Sequence, residues 1–297
     1  MSVSLSHVLS QGPVLVALGR AALSTVRPTS SGTTATAPGP WLEATLPPRP
    51  EALIRDYVRH VGGDPGWYRG IVPAHLFPQW GFPLAAEALS KLHYTLARVM
   101  NAGCRIEQHA ALPAGEPLIV RARIESIDDD GRRAIVTQRV VTGTREVPDA
   151  ITADLRAYLP LDTKRDGGAK KARPTVPANA RELAYLRIRR DAGLDFAKLT
   201  GDFNPIHWVP AYARAAGFRG TILHGFATLA RAIEAVNRAR FAGDPRRLAT
   251  VDVRFSRPLP LPATVGVYVD DDNGLWVGDA PGGGAYLEGR YSAHERA

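Results

Sequence analysis

The sequence predicts an α+β protein built from two similar halves, each with a curved antiparallel sheet wrapped around one long helix. In each half a helical pattern is followed by strands that short turns separate, and short turns join antiparallel neighbours. The apolar face of each helix must then be buried against the face of its sheet. No glycine-rich phosphate loop follows a strand in the sequence, which argues against Rossmann and P-loop domains.

The second half shows this pattern most clearly. In the segment HGFATLARAIEAVNRAR, one apolar stripe recurs at helical spacing: Phe226, Leu229, Ile233 and Val236. Apolar residues then alternate with other residues from Val251 to Phe255 and from Val265 to Val269, which predicts two half-buried strands. The run DDDNG, Asp270 to Gly274, predicts the turn after the second of these strands.

The first half repeats the order more weakly. The segment GFPLAAEALSKLHYTLARV has a helical pattern, and LIVRARI and AIVTQRV read as strands. Asp129 to Gly131 predict the hairpin turn between these two strands. The repetition predicts that the two halves share one architecture.

Composition shifts divide the chain into four parts. Residues 1–39 are predicted to be a flexible lead-in, because Arg27 to Pro40 is small, polar and proline-bearing. Its apolar patch, Pro13 to Leu18, lacks a basic region before it and fits a leader or docking segment better than a signal peptide. Residues 40–161 form the first half, the charged segment 162–177 is the predicted linker, and residues 178–297 form the second half.

Charge and cysteine content limit the function classes. The 297 residues are 45% hydrophobic and 22% charged, which is ordinary globular composition. The single cysteine, Cys104, excludes intramolecular disulfides and any CxxC site, so we expect a reducing compartment, the cytoplasm. The net charge of +8 favours an acidic partner or a phosphate-bearing ligand. Nucleic acid is disfavoured because no zinc-finger or RNP-like pattern is present, and no run reaches the roughly 20 apolar residues of a membrane span.

The stretch KLTGDFNPIHWVPAYARAAGFRG, Lys198 to Gly220, holds the first candidate site residues. Asp202 and His207 are five residues apart, and Asn204-Pro205 between them disfavours a regular helix. A turn here can aim both side chains at one water molecule, which a carboxylate and an imidazole can activate. Asn204 can fix the loop by bonding its backbone or the catalytic side chains.

The second candidate element is His224-Gly225, at the predicted start of the long helix. Free N–H groups point outward at a helix N-terminus, where the macrodipole adds positive potential. Glycine lets a ligand approach the backbone closely, so a thioester carbonyl there would find a donor for its developing oxyanion. An acid/base pair beside such a donor indicates addition or removal of water next to an activated carbonyl.

The stretch LTGDFNPIHWVPAYARAAGFRGTILHG resembles the signature of the MaoC-like, (R)-specific enoyl thioester hydratase family, also called hydratase 2. The family pattern runs G-D-x-N-P-hydrophobic-H, then A, then G-F, then hydrophobic-x-H-G. The matching residues are Gly201, Asp202, Asn204, Pro205, Ile206, His207, Ala211, Gly217, Phe218, Ile222, His224 and Gly225. Many members carry an acidic residue two positions after the histidine, where this chain has Val209, and we expect this departure to affect packing rather than chemistry.

The resemblance implies a double hot-dog fold in which one half keeps the catalytic loop and the other shapes the acyl pocket. The first half lacks G-D-x-N-P-x-H and fits the second role. The resemblance further implies a hydro-lyase of fatty acid metabolism that hydrates 2-enoyl thioesters and dehydrates (R)-3-hydroxyacyl thioesters. Asp202 and His207 would be catalytic and Gly225 the backbone oxyanion donor, with Asn204 and His224 in support.

No metal or redox cofactor is required for this chemistry, since coenzyme A or phosphopantetheine belongs to the substrate. The expected partners are therefore acyl-CoA or acyl carrier protein, and whether two chains form a homodimer stays open. Asn204 and His224 could also be purely structural, and Gly225 could be a tight-packing glycine. His75, His93 and His109 are read as ordinary histidines, and Cys104 as an inert thiol.

Two rival functions remain. A hot-dog acyl-CoA thioesterase would use the same fold with water attacking C1 instead of C3, but the N-P-x-H pairing argues against it. A non-catalytic thioester-binding subunit is the other rival, and the presence of Asp202, His207 and Gly225 together argues against that.

Overall fold

The computed structural model describes residues 3–9, 36–94, 99–161 and 173–295. The first half contains the strands β1 (Leu42–Leu46), β2 (Ile71–Val72), β3 (Met100–Gln108), β4 (Leu112–Pro113), β5 (Leu118–Asp129), β6 (Arg133–Gly143) and β7 (Ile151–Pro160). The second half contains β8 (Arg181–Ile188), β9 (Ile222–Leu223), β10 (Leu248–Phe255), β11 (Leu259–Pro260), β12 (Ala263–Val269), β13 (Gly274–Gly278) and β14 (Ala285–Ala293). The helices are α1 (Ser6–Leu9), α2 (Glu51–His60), α3 (Pro78–Ser90), α4 (Ala192–Thr200), α5 (Pro210–Ala215) and α6 (Gly225–Arg240).

Ten strands form one antiparallel sheet that runs through both halves. Its order is β1-β5-β6-β7-β3-β10-β14-β13-β12-β8, so each half supplies five consecutive strands. The halves meet where β3 pairs with β10, with Glu107 opposite Thr250 and Gly103 opposite Arg254. A side chain at Gly103 would collide with the Val253 carbonyl oxygen, so the seam needs glycine there. The α+β class and the repeated architecture are confirmed.

The two predicted hairpin turns lie where the sequence placed them. Asp129 ends β5, and the Asp130 carboxylate accepts hydrogen bonds from the N–H groups of Arg132 and Arg133. In the second half, Asp270 Oδ1 accepts hydrogen bonds from Asp272 and Gly274 between β12 and β13. Short polar side chains replace the missing backbone partners in both turns.

The central helix of the second half, α6, is buried on all sides, not only along the predicted apolar stripe. Every residue from Phe226 to Asn237 is buried, including Arg231 and Glu234. The helix packs against its own sheet and against the first half, so its polar residues need partners there. Glu234 Oε1 accepts a hydrogen bond from the Tyr68 hydroxyl at 2.7 Å and lies 3.0 Å from His75 Nε2.

The prediction of a half-buried strand is wrong for β12. Tyr268, on the face expected to be solvated, is only 3% exposed. Residues 173–180 cover that face: Val176 is fully buried against Tyr268 and Ala285, and Thr175 forms a bridge to Gly284. The described end of the predicted linker therefore packs onto the sheet, although the domain boundaries stay a prediction.

The predicted lead-in is packed at its start. The Val3 N–H donates to Asp195 Oδ1 on α4 at 3.2 Å, and His7 Nε2 lies 2.8 Å from Asp56 Oδ2 on α2. Residues 3–9 thus dock on the fold, while residues 10–35 of the lead-in lie outside the described residues. Among the described residues, no helix is long and apolar enough to cross a membrane.

Candidate active site

A short loop between α4 and α5 carries the Asp202–His207 pair. Gly201 ends α4 in the left-handed conformation, with φ of 82°, which glycine adopts without steric cost. The chain then forms a single 3-10 turn over Pro205–His207, and the Asn204 side chain caps it by accepting from the Ile206 N–H at 3.3 Å. The predicted interruption of helix is confirmed, and the bonds of Asn204 are those of a loop-fixing residue.

The structure brings Asp202, His207 and His224 together. The carboxylate oxygen and the ring nitrogens that these residues offer lie within 4.8 Å of one another. His207 Nδ1 lies 2.9 Å from the carbonyl oxygen of Ile222. Because a carbonyl only accepts, Nδ1 carries the proton, and Nε2 keeps a lone pair that can take a proton from water.

Burial lowers the pKa of His207 below its ordinary value, although Asp202 and the bond to Ile222 oppose this shift. The imidazole is therefore neutral at pH 7. A neutral imidazole beside a carboxylate is suited to accept a proton at neutral pH.

His224 fixes the loop by bonding its backbone at Asp202. Its Nε2–H donates to the backbone carbonyl of Asp202 at 3.0 Å, and its ring stacks on His207 at 3.6 Å between centroids. Burial, followed by the neighbouring His207, lowers the pKa of His224 to about 3. The ring is thus a neutral donor that fixes Asp202 and supports His207, as the loop-anchoring interpretation expects.

The three groups also have a spacing that could hold a metal ion. A metal bound to an imidazole must lie near the plane of the ring, at about 2.0–2.1 Å. The rings of His207 and His224 are stacked with only 27° between their planes, and one nitrogen of each ring donates to a carbonyl. The remaining nitrogen of His224, Nδ1, is buried. This geometry favours proton transfer over metal binding.

Gly225 is the first residue of α6, as the sequence predicts, and His224 is its N-cap. The first N–H groups of a helix have no intrahelical partner, so this backbone can face a ligand. A Cβ atom at Gly225 would lie 2.8 Å from the Phe255 ring. Glycine is therefore also required for packing, and both interpretations of this residue remain consistent with the structure.

Val209 occupies the N-cap position of α5 without a side-chain hydrogen bond. The acidic residue that many family members carry there would cap this helix, and losing such a cap typically costs about 1 kcal/mol. That the departure affects packing rather than chemistry stays a prediction.

A cavity of about 180 Å³ lies in the first half, between α3 and the sheet. It is lined by Phe82, Ala85, Ala86, Leu89, Val99, Met100, Asn101, Gln138, Leu155, Arg156 and Ala157. Phe82 contacts Phe226 edge to face at 5.3 Å, and Phe226 contacts Phe255 at 5.5 Å. A layer of aromatic rings thus lies between this apolar cavity and Gly225.

His75 and Cys104 are both buried within the fold. His75 is buried among Tyr57, Tyr68 and Glu234, and burial holds the pKa of Cys104 well above its ordinary value. Sequence reasoning missed the His75–Glu234 contact because 159 positions separate the two residues. Only the docking of one half on the other brings them together.

Comparison with known proteins places the loop in a family. Residues 169–274 match the model described as the MaoC like domain. The second half carries a MaoC-like domain. This match confirms the resemblance on which the interpretation of Asp202 and His207 depends.

Two curated relatives resemble parts of this chain. The 3-hydroxyacyl-thioester dehydratase X of Mycobacterium tuberculosis is 31% identical over 177 residues, 58% of this chain and 59% of its own. The peroxisomal enoyl-CoA hydratase 2 of Arabidopsis thaliana is 45% identical over 163 residues, 50% of this chain and 52% of its own. The chain thus spans only part of the length of these relatives.

Solved structures show the same fold over most of the chain. The crystal structure of HtdX from Mycobacterium tuberculosis has a TM-score of 0.68 and 24% identity, and covers 86% of this chain and 100% of that one. A second Mycobacterium tuberculosis protein, described as having a double hotdog fold, has a TM-score of 0.53 and 15% identity over 87% of this chain and 96% of that one. The double hot-dog fold is confirmed.

Proposed function

We propose that the chain catalyses the reversible hydration of 2-enoyl thioesters and the dehydration of (R)-3-hydroxyacyl thioesters. The observation that carries the proposal is the Asp202–His207 pair, with the His207 tautomer fixed by the Ile222 carbonyl beside the start of α6. The MaoC-like domain and the activities for which the two curated relatives are named support the same chemistry.

In this mechanism a water molecule lies between the Asp202 carboxylate and His207 Nε2. During hydration one of these groups takes a proton from the water as its hydroxide adds to C3. The proton taken from the water is then delivered to C2, so one water is added across the double bond and both groups return to their starting protonation states. Dehydration follows the same path in reverse.

The thioester carbonyl would dock on the N–H of Gly225. Negative charge develops on that oxygen when C3 is attacked, and a preorganised donor stabilises it in the transition state. The partial positive charge of the α6 N-terminus acts in the same direction. The C3–O and C2–H bonds form as the C2=C3 π bond and one O–H bond of the water break, so no oxidant or reductant is needed.

The acyl chain would extend into the cavity of the first half. That cavity is apolar on most of its wall and lies beyond the ring of Phe82. A single hot-dog half offers one side of such a cleft, so the motif-free half supplies the other side.

The test is an assay of the full chain on crotonyl-CoA and longer 2-enoyl-CoAs, with loss of enoyl absorbance and release of free thiol followed in parallel. Loss of absorbance without thiol release is the expected result. Thiol release would instead identify a thioesterase, and binding without any turnover would identify a non-catalytic thioester-binding subunit.

We further propose a cytoplasmic location, from the single cysteine, and acyl-CoA or acyl carrier protein as the thioester partner. Fractionation of cells with an antibody against the chain would test the location. Sedimentation of the purified protein would decide between a monomer and a homodimer.

A further inference from the structure

A cleft lined by arginines lies at the end of the second half that carries the catalytic loop. It has a volume of about 280 Å³, and its lining residues are Arg187, Ile188, Arg189, Pro262, Ala263 and Thr264. We call it the arginine cleft. It lies where β8 ends and β12 begins, with Arg187 opposite Thr264 and Ile188 opposite Ala263.

One short strand pair, β9 with β11, connects the arginine cleft to the catalytic loop. Pro260 on β11 lies opposite Ile222 on β9, and the carbonyl of Ile222 holds His207. Leu261, the next residue, donates its N–H to the Thr221 carbonyl at 2.9 Å. Pro262, in the cleft wall, is therefore only two residues, roughly 7 Å of extended chain, beyond the position opposite Ile222.

Arginine is the only charged residue type, histidine aside, in three segments of the second half, residues 187–190, 203–224 and 253–264. The arginines in these segments are Arg187, Arg189, Arg190, Arg214, Arg219, Arg254 and Arg257. Arg189 and Arg257 are paired with aspartates, so the other arginines supply the attraction for an oppositely charged ligand.

Arg187 is the cation of the cleft that is not neutralised. Arg189 is already paired with Asp191 and Asp195 at 3.0 Å. Arg187 is exposed, lies 5.8 Å from the centroid of the Tyr185 ring, and forms no ion pair with any of the described residues. A guanidinium with free donors is well matched to a phosphate oxygen pair.

We propose that the arginine cleft binds the phosphate groups of coenzyme A, and that Arg187 determines specificity for the CoA thioester. The pantetheine arm separates the thioester from the pyrophosphate by a chain about as long as five extended residues, roughly 17 Å. Because the cleft wall continues the strand that pairs beside Ile222, Arg187 would lie within this reach of a thioester docked at Gly225. This inference rests on the proposed function, because it takes the thioester to be bound at Gly225.

The experiment compares the full chain with Arg187→Gln and with the control Arg290→Gln. Arg290 is exposed on β14, three strands from β8, and lies opposite Gly274 outside the cleft. Steady-state constants are measured with crotonyl-CoA, with crotonyl-pantetheine, which has no phosphate, and with a crotonyl acyl carrier protein. Binding of adenosine 3′,5′-bisphosphate is measured separately by calorimetry, which needs no turnover.

Arg187→Gln is expected to raise KM for crotonyl-CoA about tenfold, as loss of a charge-assisted hydrogen bond does. KM for crotonyl-pantetheine should stay unchanged, bisphosphate binding should weaken by a similar factor, and Arg290→Gln should change neither. The proposal would be overturned if KM for crotonyl-pantetheine rose as well, or if KM stayed unchanged for every substrate.

A larger effect on the crotonyl acyl carrier protein than on crotonyl-CoA would also overturn it, since an acidic carrier surface would then be the partner of Arg187. The calorimetric readout separates this proposal from the proposed function. If bisphosphate binding depends on Arg187 but the chain has no hydratase activity, the proposed function is refuted and the phosphate-binding role of the arginine cleft is not.

Discussion

The equivalent loops of the two halves differ in chemistry while keeping the same local geometry. In each loop an Asx side chain caps a 3-10 turn that starts with proline: Asp64 accepts from the Gly66 N–H, and Asn204 accepts from the Ile206 N–H. The third residue of the turn is Trp67 in the first half and His207 in the second. The turn is therefore a feature of the fold, and only the second half places an imidazole, that of His207, at its third position.

The position of the carboxylate differs in the same way. Asp202 follows the left-handed Gly201, whereas the first loop has Gly63 after the left-handed Gly62. A Cβ atom at Gly63 would lie 2.5 Å from the Glu234 carboxyl carbon. The first half thus has no room for an aspartate there, because the second half packs its buried network into that space.

The starts of the central helices complete the comparison. In the second half, α6 begins two residues after β9 ends, whereas α3 begins six residues after β2 ends and starts with Pro78. Proline has no N–H to offer a ligand. The second half therefore presents a backbone donor beside His207, whereas the first residue of α3 offers none.

The largest expected effect separates the two loops directly. Asp202→Asn and His207→Ala should each lower kcat by about 10²–10⁴-fold, the usual contribution of a general acid or base. The matched change Asp64→Asn in the first loop should leave kcat unchanged, since asparagine also caps. Circular dichroism would check folding, and near-native turnover by either second-half variant would remove that residue from the acid/base role.

The next effect concerns the helix start. Gly225→Val alone is a poor test, because the new side chain would strike Phe255 before it met a ligand. The double variant Gly225→Val with Phe255→Ala makes room in the core, so its loss of activity reports on ligand approach. We expect a loss of about 10²–10³ in kcat, typical of losing one oxyanion donor.

Phe255→Ala alone and Ala227→Val, within the same helix, are the controls for that pair. Both should lower the melting temperature, since Ala227 is fully buried, with a smaller loss of kcat than the double variant shows. If activity falls in proportion to stability across all three variants, Gly225 is a packing residue only.

A smaller and more selective effect is expected in the first half. Ala86 is half-buried in the wall of the 180 Å³ cavity, so Ala86→Trp should fill the cavity and shorten the accepted acyl chain. We expect kcat/KM for ten-carbon and longer 2-enoyl-CoAs to fall by at least about tenfold, in line with ~1–3 kcal/mol of lost apolar burial. The crotonyl-CoA value should change little.

The control for the cavity is Glu87→Trp, the next residue on α3, which is exposed. It adds the same side chain outside the cavity and should not alter chain-length preference. An equal loss for short and long substrates in Ala86→Trp would contradict the acyl-pocket assignment of the first half.

The smallest effect concerns pH and stability. The folded pKa of His224 is about 3, below its ordinary 6.5, so between these values the unfolded chain binds a proton that the folded chain does not. Stability is therefore full above pH 6.5 and falls on acidification, by roughly 1 kcal/mol per pH unit for this group. His224→Gln keeps a donor for the Asp202 carbonyl without titrating, and should flatten the slope of unfolding free energy between pH 6.5 and 4.5. Identical slopes in denaturant titrations of both proteins would contradict the assigned pKa.

Local patterns were sufficient to predict much of this structure. Asp-rich turns, the start of α6 at Gly225 and the break at Pro205 all depend on residues close in sequence, and each lies where it was predicted. The grouping of Asp202, His207 and His224 could be predicted for the same reason, because all three lie within 23 consecutive residues.

What sequence reasoning missed depends on contacts between distant segments. The second buried face of β12 arises because Val176 returns over Tyr268, and nothing in the alternation of Val265 to Val269 indicates it. A packing role for Gly225 was foreseen, but its partner Phe255, 30 positions away, was not, and neither was the docking of Val3 on Asp195. Such pairings follow from the packing of the whole chain, not from a local period.

The seam between β3 and β10 has a mechanical consequence. Backbone hydrogen bonds from Gly103 to Glu107 make the two halves one continuous sheet, so they cannot swing apart as hinged domains do without breaking that ladder. Under the proposed function, a substrate would enter past the loops that follow α4 and α5, while the sheet stays fixed. Turnover in such a molecule would be gated by small local movements, for example of the rings between Gly225 and the first-half cavity, rather than by opening of the whole protein.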